Sequence, residues 1–94
     1  LSIDADQRAA WVDNKQLDLN RKEFDTLLYL VTNKDRLVNK AALAVHVWGD
    51  YIDEANSFDF IYSQIKNLRR KLKNSHAQIE VHAVYGIGYK LTAT

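Results

Sequence analysis

Cysteine is absent from the 94 residues, which rules out disulfides and cysteine-based metal sites and makes a reducing, cytoplasmic setting the default expectation. Methionine is absent too, and the chain opens at Leu1 without an initiator, so it reads as an excised piece of a longer protein. No apolar run approaches the roughly 18 residues that cross a bilayer, and no charged leader precedes an apolar secretion segment. His46, His76 and His82 share no metal-ligand spacing, and Gly86-Ile87-Gly88 lacks the helix that a dinucleotide-binding glycine loop requires. Catalysis, cofactors and metals are therefore not expected.

What is present suits one small domain with a modest core, since the hydrophobic fraction of 47% is that of a globular chain. The net charge of +1 hides a division. Residues 1–63 hold seven Lys/Arg against eleven Asp/Glu, whereas residues 64–94 hold six against one. A positive field confined to the last third points to an anionic partner. A membrane surface would satisfy it as well, but an interfacial helix presents a broad Trp/Phe/Leu face, and the apolar stripe here is too narrow for that.

That stripe belongs to residues 56–73. Ile61, Ile65, Leu68 and Leu72 recur as i, i+4, i+7, i+11 and mark the buried side of a helix capped by Asn56. At about 100° per residue, Ser63, Gln64, Asn67, Arg70 and Lys71 are expected opposite the stripe, with Lys66 on its shoulder. Such a face suits a phosphate backbone. It also suits a solvated helix whose C-terminal cations complement the helix dipole.

Upstream, the segments 1–4, 8–13 and 15–19 are short and β-like, and Asp13-Asn14 is a tight-turn signal between two of them. Asn20 and Glu23 have capping-box spacing for a helix starting at Arg21, with Phe24, Leu27, Leu28 and Val31 as its apolar face. Residues 36–38 read as a linking strand or an extended connector, too short for anything more. Asn39 caps a second helix that faces the core with Leu43 and Val47, ends at Gly49 and leads into an acidic loop over residues 49–55. After Lys73, β-type runs at 78–84 and 89–91 flank Tyr85-Gly86-Ile87-Gly88, a hairpin in which both glycines can supply positive φ. The expected fold is α+β: a winged helix-turn-helix with an N-terminal antiparallel sheet, three helices and a C-terminal β-hairpin wing.

Leu-x-x-x-Val-Trp-Gly at residues 43–49, Leu68-Arg69-Arg70-Lys71-Leu72, and Gly86-Ile87-Gly88-Tyr89-Lys90-Leu91 carry a resemblance in their order and spacing. With residues 20–24 they look like the C-terminal effector domain of the OmpR/PhoB class of two-component response regulators, over essentially the whole chain. The resemblance implies sequence-specific binding of double-stranded promoter DNA. It places helix 56–73 in the major groove and wing 79–91 on the flanking minor groove or backbone. It also implies a receiver domain on the N-terminal side, addressed by a sensor kinase, and a domain that is monomeric alone and pairs head to tail on DNA.

Carried over residue by residue, the family's backbone contacts match Trp48, Gln64, Lys66 and Tyr89, and its approaches to bases or adjacent phosphates match Asn67, Arg69, Ala83 and Tyr85. Ser63, Arg70, Lys71 and His82 complete the candidate DNA-binding set. Where this chain has Asp59, Asn67, Ala83 and Tyr85, relatives commonly carry arginine or another donor, so a shifted sequence preference is expected. Bland roles stand beside these: core packing for Trp48 and Tyr89, an intramolecular ion pair for Arg69, a solvent-facing strand position for His82. The competing function is a protein-interaction module, with Phe58, Phe60, Tyr62 and the acidic loop docking RNA polymerase or another partner.

Overall fold

Asn20 and Asn39 set where the first two helices begin in the computed structural model, which describes residues 1–49 and 59–93. The Asn20 side chain accepts the Glu23 N–H at 2.8 Å, and the Glu23 carboxylate accepts the Asn20 N–H at 2.9 Å, so the capping box forms in both directions. Helix α1 then runs Arg21–Thr32. The Asn39 side chain accepts the Ala41 N–H at 2.7 Å and opens α2, Lys40–Trp48, which Gly49 terminates at φ 61°. Helix α3 is Asp59–Asn74. Its expected cap Asn56, Phe58 and the acidic loop beyond Gly49 lie outside the described residues.

Two three-stranded antiparallel sheets complete the order. The first is a meander of β1 (Ser2–Asp4), β2 (Ala9–Val12) and β3 (Lys15–Gln16). Asp13 and Asn14 both take positive φ, 52° and 67°, which matches the twist of a two-residue hairpin. β3 is shorter than the run of alternation suggests: Leu17 still donates its N–H to the Ala10 carbonyl at 2.8 Å, and Leu17 and Leu19 pack, partly buried, against the core. The second sheet joins β4 (Leu37–Asn39), β5 (Ile79–Val84) and β6 (Gly88–Ala93) in the order β4-β6-β5. Of the two readings open for the segment after α1, the strand is the one that forms, one residue later than expected, and its partner β6 lies some fifty residues away.

The two glycines of the hairpin have different tasks. Gly86 supplies the positive φ of the turn, 76°, while Gly88 sits in the ladder between Val84 and Asn39 without it. A Cβ on Gly88 would stand 1.9 Å from the Val38 carbonyl oxygen, so glycine is required there for close approach of β4 and β6.

The helices and the second sheet share one core. α3 contributes all four residues of its stripe, Ile61, Ile65, Leu68 and Leu72; α2 adds Leu43, Ala44 and Val47; the sheet adds Val38, Val81 and Leu91. In α1 the buried apolar residues are Phe24, Leu27 and Leu30, with Leu28 and Val31 only half-buried. Because α1 packs on α2, α3 and β6 together, its inward face is centred between those neighbours and not on the narrow stripe that spacing alone suggested. No helix among the described residues is long and apolar enough to cross a membrane.

Candidate nucleic-acid interface

Burial of the α3 stripe dictates the direction of every other residue on that helix. At about 100° per residue, Ser63, Arg70 and Asn74 lie most nearly opposite it, with Lys66, Asn67 and Lys73 beside them. All six are exposed. Tyr62 and Arg69 fall on the shoulder that meets the hairpin, and with Ile65, Lys66, Ala83 and Tyr89 they line a cleft of about 250 Å³ between α3 and the sheet. A second cleft of about 540 Å³ continues along the helix past Arg69, Arg70 and Lys73 to Ile79 and Glu80 on β5.

The other shoulder corrects the sequence-based placement of Lys71 and Gln64. Lys71 does not point out with Arg70: its ammonium donates to Glu23 Oε1 at 2.7 Å, across to α1, and its side chain is only 30% exposed. Position 71 lies roughly 90° from the stripe centre, within reach of the neighbouring helix. A carboxylate only 2% exposed needs a cation beside it, and this one draws the lysine in. Gln64, on the same shoulder, is half-buried with its amide oxygen enclosed.

The hairpin β5–β6 carries Tyr85 at its tip, fully exposed, with Ile87 half-open beside it. His82 Nε2 lies 2.9 Å from Thr92 Oγ1 and 3.8 Å from Glu80 on the exposed side of the ladder. Tyr89 is 9% exposed, and its hydroxyl pKa is raised by burial first and by Tyr62 second, against the lowering effect of Arg69. The group therefore stays protonated at neutral pH and is available as a hydrogen-bond donor at the cleft. Arg69 makes no ion pair among the described residues.

Trp48 closes α2 in a cluster. Its ring meets Phe60 edge-on at 5.0 Å, and Lys22 Nζ stands 5.9 Å from it while donating to the Val47 carbonyl at 2.8 Å. Phe60, one of the aromatics proposed for partner docking, is thus occupied inside the domain; Tyr62 remains exposed. Two residues escaped the sequence reading. Lys73 was legible, being a cation on the outward half of α3, whereas the second role of Glu23 had no local signal beyond its capping spacing.

Comparison with known proteins agrees with this architecture. Residues 14–91 match the family described as "Transcriptional regulatory protein, C terminal". The response regulator ArlR of Staphylococcus haemolyticus is 36% identical over 90 residues, covering 95% of this chain and 40% of that protein. The chain spans about two-fifths of the length of the curated relatives it matches. Among solved structures, the DNA-binding domain of Bacillus subtilis CssR superposes with a TM-score of 0.81 at 26% identity, over 96% of this chain and 97% of that one. The Klebsiella pneumoniae RstA DNA-binding domain, solved in complex with the RstA box, shares the fold at 24% identity and a TM-score of 0.77, over 96% and 88% of the two chains. This is a family of regulatory output domains, not of enzymes. The chain therefore belongs to the C-terminal domains of transcriptional regulatory proteins, as an OmpR/PhoB-type winged-helix effector domain of the response regulators.

Proposed function

We propose that the domain binds double-stranded promoter DNA sequence-specifically, with α3 in the major groove and the β5–β6 hairpin against the flanking minor groove or backbone. The observation that carries the reading is the single exposed surface made by Lys66, Asn67, Arg69, Arg70 and Lys73 on α3, bordered by a hairpin whose tip residue Tyr85 stands wholly in solvent. On that surface Lys66, Arg69 and the Tyr89 hydroxyl are placed for phosphates, and Asn67 can bind adenine N6 and N7 together. The RstA domain, which shares the fold and was solved with its box, supports DNA as the ligand.

In the longer protein, a receiver domain N-terminal to this piece takes the signal from a sensor kinase, and the domain works in the cytoplasm where the promoters are. The relatives' names as response regulators, and their greater length, support this. The isolated domain is a monomer that pairs head to tail on direct repeats. Docking of RNA polymerase through residues 49–55 concerns a segment that, apart from Gly49, lies outside the described residues.

Selection of bound duplexes from a random library, followed by salt titration on the selected site, tests the function. A recovered motif and a linear fall of log K with log salt are expected. Lys66→Ala should flatten that slope by roughly one unit, and Asn67→Ala should relax preference at one base pair by roughly 1–3 kcal/mol. A domain that retains no duplex at low salt would overturn the reading, and a tight dimer in sedimentation without DNA would overturn the pairing model.

A further inference from the structure

Two consecutive residues in the first turn of α1 reach the two helices that a helix-turn-helix must hold at a set angle. Lys22 donates to the Val47 carbonyl in the last turn of α2 and stands over Trp48. Glu23 Oε1 accepts the Asn20 N–H at 2.9 Å and the Lys71 ammonium at 2.7 Å. One carboxylate oxygen thus closes the N-terminus of α1 and grips the recognition helix. Glu23 is 1% exposed, so α3 cannot roll away from it without leaving a charge buried and unpaired.

The roll matters because Lys71 shares a rigid helix with the outward face. A side-chain tip about 6 Å from the helix axis moves about 2 Å when the helix rolls by about 20°. That exceeds the tolerance of a bidentate hydrogen bond to a base edge. Asn67, one turn before Lys71, would lose its register first, while phosphate contacts by long flexible lysines would adjust.

Building on the DNA-binding reading, we infer that Glu23 and Lys71 are positioning residues that set the roll of α3 and thereby the fit of Asn67 to its base, and that Lys71 takes no DNA phosphate. The sequence pattern alone assigned Lys71 to the DNA face. Its pairing with a buried acid turns it toward α1 instead.

The test measures affinity of the 94-residue domain for the selected site, for the same site with the base pair opposite Asn67 exchanged, and for an unrelated duplex, each across a salt series. Lys71→Met keeps the aliphatic stem and removes the charge; Glu23→Gln keeps an acceptor for the Asn20 N–H. The double variant removes both charges and leaves none buried alone, so it is the deciding variant if either single variant fails to fold. The double variant is expected to lose about tenfold in affinity for the selected site and most of the discrimination against the exchanged base pair, with the salt slope and the affinity for unrelated duplex unchanged. Lys71→Arg, which preserves the pair, should retain the parent's discrimination. A slope flatter by about one unit on every duplex would make Lys71 a phosphate contact and overturn the inference, as would full discrimination in the double variant. Failure of the parent domain to bind any duplex would instead remove the DNA-binding reading itself.

Discussion

The two three-stranded sheets differ in what they bury and where they end. β1-β2-β3 is built from strands of two to four residues, inserts Ala9, Ala10 and Val12, and leaves β3 exposed. β4-β6-β5 has two six-residue strands and inserts Val38, Val81, Tyr89 and Leu91 among the three helices. It then runs on to a tip in open solvent. The first sheet is a cover; the second is a wall of the core and also the arm that reaches outward. An arm of that kind needs a locked base, and here the lock is the close approach of β4 and β6 at Gly88, where no side chain fits.

Breaking that lock should produce the largest effect. Gly88→Val places branched carbon where the Val38 carbonyl already lies, so β4 and β6 must part, with an expected loss of at least about 3 kcal/mol. Thermal melts should show a domain unfolded or nearly so at 37 °C. A variant that melts like the parent would mean that the base of the wing is not locked.

Next in size is a matched truncation in each sheet. Leu91→Ala, in the second, should cost roughly 2–5 kcal/mol in denaturant unfolding, because its side chain is fully buried among helices that cannot collapse onto the void. Val12→Ala, in the first, removes about two methylene groups from a shallower site and should cost about 1.5 kcal/mol or less. Equal losses would erase the distinction between wall and cover.

Smaller still is the effect of restoring a cation at the tip. Tyr85→Arg should steepen the salt slope of DNA binding by up to about one unit and strengthen preference for A·T pairs flanking the site, since a narrow minor groove attracts arginine. The fully exposed position should leave stability within about 0.5 kcal/mol. Unaltered flank preference would argue that the wing does not enter the groove. The smallest change is expected from Arg8→Ala, which cuts the ion pair to Asp25 that ties the first sheet to α1; half-exposed pairs of this kind contribute about 0.2–1 kcal/mol. DNA affinity should not move at all. A measurable loss of affinity would show that the cover also steers the recognition helix.

Much of the fold was legible because its signals are short-range. The Asn20–Glu23 capping box, the Asn39 cap, the Gly49 stop and the Asp13-Asn14 turn each depend on residues within four positions of one another. The stripe Ile61, Ile65, Leu68, Leu72 depends on one period repeated three times. The outward polar face of α3 follows from that period, which is why Lys66, Asn67 and Arg70 are exposed as expected.

Other features had no local trace. Lys71 is drawn inward by an acid 48 positions earlier, Gly88 is required by a carbonyl 50 positions earlier, and the partner that makes Leu37–Asn39 a strand, β6, lies some fifty positions later. Leu30, not Leu28 or Val31, fills the α1 face for the same reason: three neighbours decide which side is inside. The sequence by itself determined where each helix and turn starts and which face of α3 is apolar, since hydrogen-bond geometry and helical period act over a few residues. Only the tertiary structure decided which cations of α3 stay on its exposed face, because a buried carboxylate out of water takes whatever ammonium the packing brings within reach.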